Sequence, residues 1–300
     1  MAISQVRIND YLAFKGEFAA DFCPGVNVLI GGNGTGKTTL LREMYKNIKE
    51  KIRNLIQPAL FDDDEKEDEI DVVIDNNAIT HAVYFPEKDI LEHARGLLPF
   101  IEQKSTGFSQ IYKDVLVNAQ DIPTNNQTET QKKIGEKIVD IIGGVVQWEQ
   151  SEGTFYTVRT DGLRIPFAHE ASGFKKLGYL GLLVASGQLA NGTILFLDES
   201  ENSLNPNQIP VFVDILLELA RNGVQIFITT HGYFMARYFD VRKDKDIPVM
   251  YHNLSRTEDC RVTCECSPEY VKLPDNLLEK ASEDMFEAVV SNAMGIQYDD

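Results

Sequence analysis

The stretch that most limits what this chain can become is GVNVLIGGNGTGKTTLL, residues 25–41. The apolar run Val26, Val28, Leu29, Ile30 predicts a strand. It leads straight into Gly31–Thr38, which satisfies the G-x-x-x-x-G-K-[ST] pattern. Gly31, Gly32, Gly34 and Gly36 are expected to let the backbone curl with φ values that other residues resist, so that successive N–H groups face an anion. With Asn33, Thr35 and Thr39 they outline a cradle for a triphosphate. Lys37 brings a positive charge to the β- and γ-phosphates, and the Thr38 hydroxyl is placed to ligate Mg2+. A helix with Leu40, Leu41, Met44, Ile48, Ile52 and Leu55 on one stripe follows, adds the positive end of its dipole, and is expected to end at Pro58. A glycine-rich turn with a chance Lys-Thr lacks the strand before and the helix after. The chain is therefore expected to bind a nucleoside triphosphate, by default ATP.

Charge narrows the partners. The 300 residues carry 29 basic and 46 acidic side chains, a net charge of −17. That balance argues against the whole surface serving as a nucleic-acid platform, although a local basic patch remains compatible with it. Eight of the acids fall between Asp62 and Asp71. Such a run reads first as a solvated loop and second as a docking tail for a basic partner. No apolar run approaches the ~18 residues of a membrane span, and the N-terminus lacks a signal-peptide core. Cys23, Cys260, Cys264 and Cys266 do not make a disulfide framework in a chain of this length. A cytoplasmic location is expected.

The remaining pattern predicts an α/β fold, a mixed and mostly parallel sheet flanked by helices, with an antiparallel N-terminal sheet and an inserted helical lobe. Strands are expected at 3–9 and 12–22 ahead of the phosphate loop, then at 70–75 and 79–85, with Asp75-Asn76-Asn77 as the turn between the latter. Apolar residues return at helical spacing from 87 to 143, broken by the polar stretch 121–131. Strands at 145–150, 154–160 and 163–167 follow, with Asp161-Gly162 as a hairpin signal. Helices at 173–189, 207–221 and 232–239, strand-like segments at 193–199, 224–230, 248–253 and 261–271, and a helical tail from 275 complete the chain. The division is 1–86, 87–143 for the lobe, and 144–300.

TILFLDES, residues 193–200, supplies the second half of a nucleotide site. Its apolar run predicts a buried strand whose end presents Asp198, suited to the Mg2+ shell, and Glu199, suited to aligning or deprotonating the attacking water. His231 ends the next strand, where a γ-phosphate sensor belongs. Cys260, Cys264 and Cys266, with His252 upstream, invite comparison with a zinc site. Three thiols at this spacing fit no common finger, so free thiols are favoured, with Cys264 and Cys266 on one face of a strand.

The order phosphate loop, helical insertion, SGFKK, FLDE, TTH resembles the ABC-type ATPase heads of the RecF/SMC and OLD class. Residues 169–234 look especially like the small stand-alone bacterial ATPases of phage-defence or mobile-element modules. The likeness also covers 25–41 and, weakly, 83–91. It implies that Ser172 and Gly173 match the signature motif that reaches across a dimer to the partner's γ-phosphate, that Lys176 matches its basic residue, and that Asn202–Pro206 lie at the interface. Taken alone, Ser-Gly before a helix is usually only an N-cap.

Three departures accompany the resemblance. Ser200 replaces the usual Pro after the catalytic Glu. Tyr11-Leu12 replaces an aromatic-Arg pair, leaving Lys15 as its substitute. Pro86-Glu87-Lys88-Asp89 stands where a Gln is expected, with Asp89 or Glu87 as substitutes. The implied behaviour is ATP hydrolysis by a homodimer with two composite ATP sites, gating a separately encoded effector such as a nuclease or toxin. A RecF-like DNA-binding ATPase is the alternative.

Overall fold

The computed structural model describes residues 2–56, 70–75, 80–102 and 110–294. Val26–Gly31 (β3), Thr193–Asp198 (β9) and Gln225–Thr229 (β10) are buried at every position, as strands covered on both faces must be. They form the middle of a six-stranded sheet in the order β12-β11-β3-β10-β9-β5, where β5 is His81–Phe85, β11 Val249–Arg256 and β12 Val262–Ser267. All neighbours run parallel except β12, which returns antiparallel along β11. The register puts Thr229 beside both Leu29 and Asp198. The carboxyl ends of β3, β9 and β10 therefore finish at one level, where open parallel sheets present their ligand sites.

Ala2–Tyr11 (β1), Phe14–Asp21 (β2) and Ile70–Asp75 (β4) make an antiparallel sheet in the order β2-β1-β4. Gln225 joins it to the main sheet: its side chain accepts from Ile3 N–H at 2.7 Å and donates to the carbonyls of Ile3 and Cys23. A third small sheet contains Gly144–Glu149 (β6), Thr154–Arg159 (β7) and Arg164–Pro166 (β8).

Helix α1, Lys37–Ile56, buries Leu40, Leu41, Met44 and Ile48 against the sheet. Leu55, expected on that stripe, is 62% exposed. It follows exposed Arg53 and Asn54, so the end of α1 stands clear of the body. Pro58, the acidic residues 62–69 and the turn residues 76–77 lie outside the described residues.

In the stretch read as a lobe, the helices are Ala94–Glu102 (α2), Gln110–Ala119 (α3) and Glu129–Ile142 (α4). Ile111, Val115, Ile134 and Ile138 belong to the same continuous apolar core as the sheet. A Thr128–Gln131 capping box starts α4, and Gly143 at φ 72° ends it. Ser172–Ala185 (α5), Ile209–Arg221 (α6), Tyr233–Arg242 (α7) and Leu277–Ala293 (α8) complete the helices. α5 stops at Ala185 rather than 189 because Gly187, at φ 79°, leaves the helical path. β12 stops at Ser267, and a single 3-10 turn, Tyr270–Lys272, takes the place of the last strand residues expected. Among the described residues no helix is long and apolar enough to cross a membrane.

Candidate nucleotide site

The phosphate loop is held open from both sides. Gly31 at φ 137° passes so close to β11 that a Cβ there would lie 2.1 Å from the Leu254 carbonyl oxygen, and Gly36 at φ 92° abuts the Phe14 ring. Gly34 is also at positive φ, whereas Gly32 is not, and a Cβ on it would make only ordinary contact. The expectation of an unusual φ therefore fails at Gly32: the turn is already made at Gly31. Thr35 Oγ1 donates to Gly32 O at 2.9 Å and ties the loop across its mouth. Lys37 Nζ lies within the loop and donates to Gly31 O at 2.9 Å and Gly32 O at 3.0 Å. Burial lowers its pKa, while Glu199 and Asp198 oppose that shift. Asn33 and Thr39 lie in the same loop and at the start of α1.

Asp198 is the hub. It is fully buried. Its Oδ1 accepts from Thr38 Oγ1 at 2.9 Å and from Thr229 Oγ1 at 2.8 Å. Its Oδ2 accepts from the Tyr84 hydroxyl at 2.9 Å and faces the Arg42 guanidinium at 3.8 Å. Thr38 and Asp198 together offer the hard oxygen donors that suit Mg2+.

Glu199 is held differently. Its backbone sits at φ 44°, in the left-handed region that costs a non-glycine residue about 1–2 kcal/mol. The Thr229 carbonyl and hydroxyl both accept from its N–H, each at 3.1 Å. Its carboxylate is partly exposed, with His231 Nε2 3.3 Å from Oε1 and Asn202 Nδ2 donating to Oε2 at 2.9 Å. Desolvation first, then the nearby Lys37 charge, holds the His231 pKa below its ordinary value, which favours the neutral ring.

α5 begins at Ser172 with Ala171 as its N-cap. Ser172 thus does not cap the helix, contrary to the plain reading of Ser-Gly; it is exposed at the first helical position. Gly173 is required by a close approach, since a Cβ would lie 2.7 Å from Ser203 O. One turn on, Lys176 Nζ donates to the Glu199 carbonyl at 3.1 Å. Ser200, in place of the usual Pro, is fully buried, and its hydroxyl has no partner.

Of the two substitutes read for the missing Gln, Asp89 accepts from Leu91 N–H and sits 3.9 Å from Lys175. Glu87 is exposed and acts electrostatically on Lys176 and His231. Lys15 is exposed on β2.

Sequence reasoning passed over Tyr84, Arg42, Thr229, Thr230 and Glu201. Thr230 donates to buried Glu201, whose pKa is raised chiefly by burial. The Thr-Thr pair before His231 was the available signal: hydroxyls at the end of a buried strand need acceptors.

A family model described as "AAA domain, putative AbiEii toxin, Type IV TA system" matches residues 42–234, a stretch that starts after the phosphate loop and runs through β9, β10 and His231. Among solved structures, an Smc head bound to the C-winged helix domain of ScpA is similar at a TM-score of 0.53 and 10% identity, over 89% of this chain and 98% of that one. The Smc head with an extended coiled coil, bound to the C-terminal domain of ScpA from Pyrococcus furiosus, gives 0.51 and 10%, over 96% and 99%. The SMC head from Thermotoga maritima gives 0.47 and 14%, over 88% and 98%. At such identities the first two likenesses speak to fold: a phosphate-loop nucleoside-triphosphatase fold of the SMC-head kind. No curated protein matches the chain.

Proposed function

We infer that this chain, which belongs to the AAA-domain family matched above, is an ATP-dependent switch: it binds ATP with Mg2+, hydrolyses it, and uses ATP to join two copies head to tail. The observation that carries this reading is the convergence of Lys37, Thr38, Asp198, Glu199 and His231 at the ends of three adjacent strands. In this role the loop amides and Lys37 hold the β- and γ-phosphates, and Thr38 and Asp198 would hold Mg2+, which when bound would supply charge neutralisation for phosphoryl transfer. Glu199 aligns and deprotonates the water. A neutral His231 contacts the γ-phosphate and orients Glu199.

Ser172 and Gly173 serve the γ-phosphate of a partner copy, giving two composite sites about a two-fold axis. The exposure of Ser172, capping nothing in its own helix, supports that role. ATP is then a ligand of the dimer, and hydrolysis releases the pair. The output is control of a separately encoded effector, a nuclease or toxin, in bacterial phage defence. A family described by a toxin–antitoxin system supports a two-component arrangement.

The test is Glu199→Gln with ATP and Mg2+. Turnover should fall by about 10²–10⁴-fold, and light scattering should find a nucleotide-bound dimer that the wild type forms only transiently. A variant that binds ATP yet stays monomeric defeats the composite-site reading. Nuclease activity of the purified chain alone defeats the gating of a separate effector.

A further inference from the structure

The β11–β12 hairpin brings together a group of side chains that the ATPase reading does not use. The strand register sets His252 opposite Cys266 and Leu254 opposite Cys264. Because side chains alternate along a strand, Cys264 and Cys266 share one face with His252. The two sulfurs are 3.7 Å apart, and Cys266 Sγ is 3.1 Å from His252 Nδ1. The three ligand atoms lie within 4.8 Å of one another.

The orientation of the imidazole follows from its other side. Cys23 N–H donates to Asn27 Oδ1 at 2.9 Å, and Asn27 Nδ2 donates to Cys23 O at 2.9 Å, so the amide can be oriented in only one way. Its oxygen, 3.1 Å from His252 Nε2, requires a proton on that nitrogen. Nδ1 faces the thiols and is the nitrogen placed to offer a metal its lone pair. Phe22 packs edge-on against the ring at 5.1 Å and holds its plane, and His252 is fully buried.

This is the outer support that metal-binding imidazoles have: a hydrogen bond from the far nitrogen to an oxygen that fixes tautomer and direction. The spacing agrees as well. Two Zn–S bonds of ~2.3 Å at the tetrahedral angle set their sulfurs about 3.8 Å apart, close to the separation seen. The separation of Nδ1 from Cys266 Sγ, 3.1 Å, is a few tenths of an ångström short of the about 3.5 Å expected between N and S in such a site.

We propose that His252 Nδ1, Cys264 Sγ and Cys266 Sγ bind one Zn2+, with water in the fourth position on the exposed side of Cys266. Two thiolate–zinc bonds and one bond from the Nδ1 lone pair form, and the protons displaced from these three atoms pass to solvent. No oxidant or reductant is needed. The ion fastens β12 to β11, and Asn27 carries its support to β3, the strand that feeds the phosphate loop.

The experiment uses the whole chain, stripped of metal by a chelator and titrated with Co2+, then Zn2+. One equivalent of cobalt should give thiolate-to-cobalt charge-transfer absorption, and zinc should abolish it. Cys264→Ser and Cys266→Ser should each lose the band while still melting cooperatively, and Cys260→Ser should keep it. The proposal fails if the wild type shows no such band, if Cys266→Ser retains it, or if the fresh protein holds a Cys264–Cys266 disulfide by mass.

Discussion

Asp198 and Glu199 are neighbours at the end of β9, yet their surroundings are opposite. Asp198 is fully buried, takes three hydroxyl donors and faces a guanidinium. Glu199 is partly open, sits in strained backbone and has a neutral-leaning imidazole and one amide for company. One position is held from every side, and the other, in the proposed mechanism, is the one that reacts. Stability is invested in the first and withheld from the second, as expected where strain collects at a working group.

Three substitutions probe that contrast. Asp198→Asn has the largest expected effect, because the four groups around it lose the charge they gather to. Mg2+-dependent turnover should disappear and stability should drop by about 1.5–3 kcal/mol, read by denaturant unfolding. An Asp198→Asn variant that unfolds like wild type would show that the hub does not hold the strands. Glu199→Gly should go the other way. Turnover is lost, but release of the left-handed strain should raise stability by about 1 kcal/mol. A fall in stability would erase the distinction between the two neighbours.

The smallest effect belongs to Glu201→Gln. Burial raises the Glu201 pKa above its ordinary 4.5, so the folded state favours the protonated acid. That contribution is complete below about pH 4.5 and is lost as pH rises through the raised value. The glutamine variant should escape this loss and match or exceed the wild-type melting temperature at neutral pH. Parallel pH–melting curves for the two proteins would place Glu201 outside the buried group.

Much of this was legible in the chain itself. The loop at 31–38, the acids closing β9 and His231 each sit beside an unbroken apolar run, so strand ends and chemistry could be read together. Tyr84, Arg42 and Thr229 could not. Each reaches Asp198 from a different element, and only the sheet order β10-β9-β5 and the turn of α1 bring them there. His252 was noted beside the cysteines, but its pairing with Cys266 rather than Cys260 could not be read, since it is a matter of strand register across the hairpin. Leu55 misled because periodicity continues past the point where a helix leaves its support. The plain N-cap reading of Ser172 failed because a small hydroxyl residue at a helix start has two uses, and the cap was taken by Ala171.

The Lys176 contact with the Glu199 carbonyl joins the front of α5 to the left-handed turn that closes β9. Ser172 and Lys176 are about 6 Å apart along a stiff rod. Whatever tugs at the tip of that rod therefore tugs on the backbone of Glu199, with no hinge between them to absorb the motion.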